Sequence, residues 1–394
     1  MRGARICGTI RVTGRPEGGF FVGSREKLFA WGDAYDIEGT QQLFVDAVRE
    51  NCAFHAAHCE AYGRVLCHAG FSPESLRTPQ ALAALPALPT VFFKKHEVYS
   101  MPRRSMLVRA TSSGTQGSMS HIGFEAGGLW CGLRMVLRVA RWRGLLSACP
   151  AHHIILGYKP HRGNQTAVTK TAYGATLFSP ALSRTFALKY GENGYEPDLE
   201  GVVRAVVRHA RARFPVRFMG FPSYAYFMLK MMEEQGIRVK LPEGSLLMLG
   251  GGWKQFYTQR VEKKVLYALA QKVLGIPETH VVEFFGAVEH PILYCDCPRH
   301  HFHVPVYSRV IIRDVNTLQP VPNGRPGLVN LITPMVKATP VTSIITDDLG
   351  VLHDGETCGC GLRAPYLEIL GRVGMQEIKT CAAGAAELLK GAAG

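Results

Sequence analysis

SLLMLGGGWK, residues 245–254, decides how the chain reads. Four apolar residues, Leu246 to Leu249, are too few for a helix of their own and run directly into Gly250, Gly251 and Gly252, so they read as a short strand. At its end the backbone either approaches a flat ligand closely or simply makes a tight turn. Three more stretches share this texture: HHIILGY at 152–158, VRFMGF at 216–221 and HVVEFFG at 280–286. Between and around them, apolar residues at three-to-four spacing predict helices over 197–213, 223–235 and 256–273. Strand alternating with helix implies an α/β architecture with much parallel sheet.

Outward from this core the texture changes twice. Residues 1–84 read as an N-terminal helical region, with 39–62 forming one amphipathic helix. The stretch TPQALAALPALPTVFFKKHEVYS then gives a helix and an extended entry into an α/β core over 85–291. From residue 292, HFHVPVYSRVIIRDV, GLVNLITPMV, TSIITDDLGVL and PYLEILGRVG are short strands separated by Pro, Gly and Asp, which predicts a β-rich lobe over 292–371. Residues 372–394 make a short, Ala-rich tail.

Hydrophobic residues at 47% and charged residues at 19% of 394 exclude broad disorder. The N-terminal MRGARICGTIRVTGRPEGG has no apolar signal-peptide core, and no apolar stretch is long enough for a membrane span, so a soluble, cytoplasmic protein is expected. The formal charge of +14 invites a nucleic-acid reading. Its densest clusters, 138–144 and 202–214, fall at helical spacing beside apolar residues, which makes them solvated helix faces and argues against a nucleic-acid partner. Such a surface suits nucleotides, acyl-CoA or an acidic carrier. Eleven cysteines, an odd number in a chain with no secretion signal, imply reduced thiols.

Several short motifs carry chemistry. TSSGTQG, residues 111–117, follows a candidate strand at 105–110 and offers hydroxyls and backbone N–H groups from Thr111, Ser112, Ser113, Gly114, Thr115 and Gly117; it is a phosphate cradle or a plain loop. In HVVEFFGAVEHP, Glu289 comes three residues after a strand-end glycine, as a Mg²⁺ ligand or a surface carboxylate. TSIITDDLG ends a strand in Asp347 and Asp348, which accept hydrogen bonds from a ribose or cap a turn. CDCPRHHFH and CGCG together supply soft ligands for a structural Zn²⁺: Cys297, His303, Cys358 and Cys360, with Cys295 as a substitute. The alternative is reduced thiols in tight glycine turns.

The order of these pieces carries more than any one of them. TSSGTQG, GGGWK, FFGAVEHP, TDDLG and Gly371-Arg372, with LPTVFFKKH before and CGCG between, resemble the adenylate-forming (acyl-AMP synthetase) superfamily over residues 85–381. Within it they resemble the LuxE-type acyl-protein synthetases, relatives of the phenylacetate-CoA ligases. The resemblance implies the large-domain fold of those enzymes and a reaction in which ATP, with Mg²⁺, converts a fatty or aryl acid to acyl-AMP. Thr111 to Gly117 would grip the phosphates, although Gln116 stands where the family has Thr. Gly250 to Gly252 and Phe284, Phe285 and Gly286 would line the adenine pocket, Glu289 would hold Mg²⁺, and Asp348 and Arg372 would contact ribose or phosphate. Most members continue into a further domain that supplies a catalytic lysine, whereas 22 residues follow Arg372 here, so Lys254 and Lys379 are the candidate replacements. Cys381, in EIKTCAAG, matches the position of the family's acyl-accepting cysteine, with Lys379 placed to favour its thiolate. The implied partners are the carboxylic acid and an acyl reductase or carrier. Transfer to CoA, a carrier thiol or an amine, and an inactive zinc-stabilised binding protein, are the alternatives.

Overall fold

The structure, a computed structural model, describes residues 23–112, 119–164, 166–192 and 194–372. Helices α1 (Ser24–Ala30), α2 (Gln41–His58) and α3 (Glu60–His68) open the chain. Where one helix is expected over 39–62, Cys59 is extended (φ −132°, ψ 101°). The break folds α3 back, which puts the Tyr62 hydroxyl 3.5 Å from Cys52 Sγ and its ring edge-on to His55; a straight helix would hold these two turns apart. Strand β1 (Leu88–Pro89), helix α4 (Thr90–Lys95) and a hairpin of β2 (Val108–Thr111) and β3 (His121–Phe124) lead into the long helix α5 (Ala126–Trp142).

The central sheet draws on β4 (Ala151–Tyr158), β5 (Ala181–Gly191), β6 (Gly194–Pro197), β7 (Val216–Gly220), β8 (Leu246–Gly250), β9 (Val281–Ala287) and β10 (His290–Cys295) in the order β10-β9-β8-β7-β4-β5-β6. Strands β9, β8, β7, β4 and β5 are mutually parallel, with antiparallel β10 and β6 at the edges. Helices α6 (Ala167–Ala175), α7 (Leu199–Ala210), α8 (Pro222–Glu234) and α9 (Lys263–Leu274) are the crossovers. Leu247 and Leu249 face the core under α7, α8 and α9, whereas Met248 between them faces the second core with α5. Burial on both faces is why β8 reads as an unbroken apolar run. The chain leaves β4 for β5 on one side and returns to β7 on the other, which makes the carboxyl ends of β4 and β7 the switch point where an open α/β sheet holds its ligand.

The second sheet runs β11 (Phe302–His303), β15 (Tyr366–Arg372), β14 (Ser343–His353), β13 (Gly327–Ile332), β12 (Arg309–Arg313), antiparallel throughout, with β1 parallel to β14. The connection 333–342 between β13 and β14 is clamped from three helices. Asn51 and His55 of α2 bond the Val336 carbonyl at 2.9 and 3.2 Å. Glu125, at the N-cap of α5, accepts from the Lys337 and Ala338 amides and from Arg25 of α1 at 2.7 Å, with Arg25, Glu125 and Ala338 buried. These bonds fix the second sheet, and therefore β14, against the helical layer. No described helix is long and apolar enough to cross a membrane.

Candidate active site

The hydroxyl-and-glycine run connects β2 to β3. Its neck is closed by the Ser112 amide donating to the Ser120 carbonyl (3.2 Å) and the Ser120 amide to Ser112 Oγ (2.9 Å). Ser113, Gly114, Thr115 and Gly117 lie outside the described residues. Thr111 forms a parallel bridge with Thr166, immediately before α6, and Lys170 of α6 donates to the Arg109 carbonyl at 3.3 Å. The neck therefore opens beside the connection that leaves the carboxyl end of β4.

At that end of the sheet the backbone is kept bare. Gly220, closing β7, has φ +152° and no room for a Cβ, which would collide with the Leu156 carbonyl of β4. Gly251 has φ +80°, and a Cβ there would come within 2.9 Å of the Phe221 ring and 3.2 Å of Val168 in α6. Gly250 lies opposite Phe284 of β9, and Gly286 follows two residues on. Around this rim Tyr158, Phe221, Tyr224 and Phe256 pack ring to ring at 5.9–6.1 Å. Lys254 begins the 3₁₀ turn Lys254–Gln259 just beyond the rim.

The carboxylates arrive from both sheets. Glu289 sits in the two-residue turn between β9 and β10 and is 4% exposed, and no hydrogen bond or ion pair among the described residues satisfies it. Asp347 and Asp348 do not end a strand as expected: β14 continues through them to His353, shifting register between Leu349 and Gly350, where glycine permits close approach to the Glu368 carbonyl. Asp348 lies opposite Arg372 of β15, with Nε 3.5 Å from Oδ1. Asp347 is held by Arg372 (3.7 Å), by Lys94 (3.5 Å) and by the Thr90 hydroxyl (3.2 Å). Burial pushes the Asp348 carboxyl up from its ordinary value, Arg372 pulls it back, and the charges of Asp347 and Glu289 add to the rise. Two like charges felt across the sheets, one of them unpaired and buried, fit a cation or hydroxyl donors between them.

Thr111 thus touches Thr166, Val168 flanks Gly251, Gly250 packs on Phe284, and Glu289, further along the same hairpin, acts on Asp348 and through it Arg372. These described residues form one continuous line. Lys379 and Cys381 lie outside the described residues, as does the Lys254 side chain. Sequence reasoning missed Gly220, Thr90, Lys94 and Lys170. The signal for Gly220 was present, since VRFMGF carries a glycine near its end as the other strand stretches do.

The thiol pairs meet elsewhere, at the seam of the two sheets. Sγ of Cys297, Cys358 and Cys360 and a ring nitrogen of His303 lie within 4.8 Å of one another. Cys295, the expected substitute, belongs instead to the large apolar core, with Asp296 and Arg143 among its charged neighbours.

Comparison with known proteins places this geometry in context. A family model described as acyl-protein synthetase, LuxE, matches residues 29–390. The long-chain-fatty-acid–luciferin-component ligase of Aliivibrio fischeri is 24% identical over 365 residues, 90% of this chain and 91% of that protein. Its namesake in Vibrio harveyi is 23% identical over 302 residues, 76% of each. Among solved structures, 2-hydroxyisobutyryl-CoA ligase in an open conformation with 2-HIB-AMP and CoA superposes with a TM-score of 0.63 at 15% identity, over 88% of this chain and 78% of that one. The fold is therefore the α/β fold of the adenylate-forming ligases, as the order of motifs predicts.

Proposed function

This chain belongs to the acyl-protein synthetase family, LuxE, and we propose that it activates a long-chain fatty or aryl acid with ATP and passes the acyl group to a thiol, that of Cys381. The single observation that supports this most is the continuous line from the hairpin neck through the glycine rim to Glu289, Asp348 and Arg372. It supplies, in order, N–H and hydroxyl groups for phosphates, bare backbone for a planar base, and carboxylates for a cation and a ribose.

In this reading a carboxylate oxygen of the acid attacks the α-phosphorus of ATP, the bond to the bridging oxygen breaks, and pyrophosphate leaves with the electron pair. The cysteine thiolate then attacks the acyl carbon and AMP departs. Both partners of the first step are anionic, so the barrier falls only where positive charge faces them. Glu289 would hold the Mg²⁺, whose role is to neutralise the triphosphate. Asp348 would accept from the ribose hydroxyls, with Arg372 opposing the upward push of burial on its carboxyl. Lys254 or Lys379 would supply a side-chain cation, and Lys170, which anchors the hairpin at Arg109, is a third. The protein would then deliver the acyl group to a reductase or another acceptor; the names of its relatives give a long-chain fatty acid and a luciferin component as what they join.

Exchange of labelled pyrophosphate into ATP, measured across fatty and aromatic acids, tests the activation step. Acid-dependent exchange is expected with at least one chain-length class; its absence with every acid refutes adenylation. The variant Cys381→Ser should keep the exchange and lose the thioester adduct detected by mass measurement. An adduct that persists would move the acceptor to another residue, and undiminished turnover with an external acceptor would exclude self-acylation.

A further inference from the structure

Independently of the acyl chemistry, we propose that Cys297, His303, Cys358 and Cys360 bind one Zn²⁺ in a closed, four-coordinate structural site that fastens the end of the central sheet to the β14–β15 hairpin. The ligands come from two separate connections. Cys297 follows β10, and His303 lies in β11, paired with Tyr366 of β15. Cys358 and Cys360 come from the link between β14 and β15. Of His300, His301 and His303, the last, preferred from the sequence, is the one whose ring nitrogen joins the sulfur cluster.

Ideal tetrahedral Zn²⁺ with Zn–S near 2.3 Å and Zn–N near 2.0 Å sets neighbouring sulfurs roughly 3.8 Å apart and sulfur–nitrogen pairs roughly 3.5 Å apart. Cys297 Sγ and Cys358 Sγ are 3.6 Å apart, and Cys360 Sγ is 3.2 Å from His303 Nε2. A disulfide would need about 2.05 Å, so no S–S bond joins the first pair. The histidine tautomer is already chosen. His303 Nδ1 lies 2.6 Å from the Ala364 carbonyl, which only accepts, so Nδ1 carries the hydrogen and the Nε2 lone pair points at the thiols.

Donors surround the sulfurs as thiolates require. The Arg299 amide donates to Cys297 Sγ at 3.3 Å, and His301 Nδ1 lies 3.0 Å from Cys358 Sγ with its ring stacked on Tyr366 at 4.3 Å. His301 is thereby a supporting donor and not a fifth ligand. The loops are shaped for convergence: Gly359 (φ +69°) and Gly361 (φ +92°) let two cysteines one residue apart turn the same way, and His300 takes φ +59° with Nδ1 tied to Asp296 at 2.6 Å. Cys297 and His303 are fully buried. Three thiolates and a neutral imidazole fill every position, so binding one Zn²⁺ releases three protons from three thiols and leaves no site for water or substrate.

The test uses the full chain, purified without chelator from zinc-supplemented cells. Elemental analysis should find about one zinc per chain, and exchange for Co²⁺ should give the intense visible bands and sulfur charge-transfer absorption of a tetrahedral thiolate site. Cys358→Ser and Cys360→Ser should each lower zinc content by at least about tenfold, while His301→Ala retains it. Less than about 0.1 zinc per chain in the unaltered protein, a cobalt spectrum without thiolate charge transfer, or sulfurs recovered as a disulfide would overturn the proposal. The wild-type metal content and cobalt spectrum decide the matter even if a cysteine variant fails to fold.

Discussion

Lowering the pH should loosen the clamp on residues 333–342, and His55 sets the size of the effect. Its Nε2 faces the Val336 carbonyl at 3.2 Å and so carries the hydrogen, while Nδ1 accepts from the Ser100 hydroxyl at 2.7 Å. The ring is fully buried, and burial first, then the charges of Lys337, His58 and Arg25, hold it down to about 3 from 6.5. Because the folded value lies below the unfolded one, the unfolded chain binds the extra proton. Stability is then intact above 6.5 and is lost as pH falls from there toward 3. At pH 5 the deficit is one and a half pH units, at about 1.4 kcal/mol each, or roughly 2 kcal/mol. Urea unfolding of wild type and His55→Gln at pH 7.5 and pH 5 reads it, since glutamine can still donate to Val336 but does not titrate. The wild type should lose about 2 kcal/mol more than the variant between the two conditions. Equal losses would mean that His55 is protonated without penalty, and the assignment of its buried, neutral state would be wrong.

Other perturbations reach the site directly. Glu289→Gln should lower acid-dependent pyrophosphate exchange by about 100-fold and raise the Mg²⁺ requirement; with one negative charge gone, the acid limb of the pH profile should move to lower pH as Asp348 titrates lower. An unchanged Mg²⁺ requirement would remove Glu289 from the metal. Gly220→Ala should cost at least about 1–3 kcal/mol and abolish exchange, because the backbone is left-handed and the new methyl meets the Leu156 carbonyl; an unaltered Tm would contradict this. Glu125→Ala takes one partner from the buried Arg25 guanidinium, which keeps Glu26 and the Met335 carbonyl, and removes the acceptor of the Lys337 and Ala338 amides, at a cost of about 1–3 kcal/mol in urea unfolding; no measurable loss would show that water replaces the carboxylate. Chelation should lower the Tm reversibly, with Zn²⁺ restoring it and Mg²⁺ not.

What the sequence disclosed follows from which forces leave a local trace. Strands β4, β7, β8 and β9 were legible because burial on both faces concentrates apolar residues in short stretches that end at a glycine, and at Gly220 that glycine leaves no room for a Cβ. Strand β5 was not, because ALSRTFALKYG exposes Leu182, Arg184, Lys189 and Tyr190 and offers neither an unbroken apolar run nor a steady alternation. The carboxylate pair was legible as a motif, yet its setting was not: a register shift at Leu349–Gly350 carries β14 past Asp348, and a shift of that kind depends on the partner strand. Thr90 and Lys94 reach Asp347 across more than 250 residues, as do Asn51 and His55 to Val336, and contacts at such separation impose no spacing on the chain. His303 of CDCPRHHFH was named from the sequence, but the Ala364 carbonyl that fixes its tautomer is 61 residues away and left no local trace.

The clasp of Arg372 by Asp347 and Asp348 also makes a pivot. Cys381 lies nine positions after Arg372, which bounds their separation at about 30 Å. A single thiol confined to a sphere of that radius has an effective concentration on the order of ten millimolar. A free thiol of equal reactivity would have to exceed that concentration to intercept an acyl group formed beside the clasp.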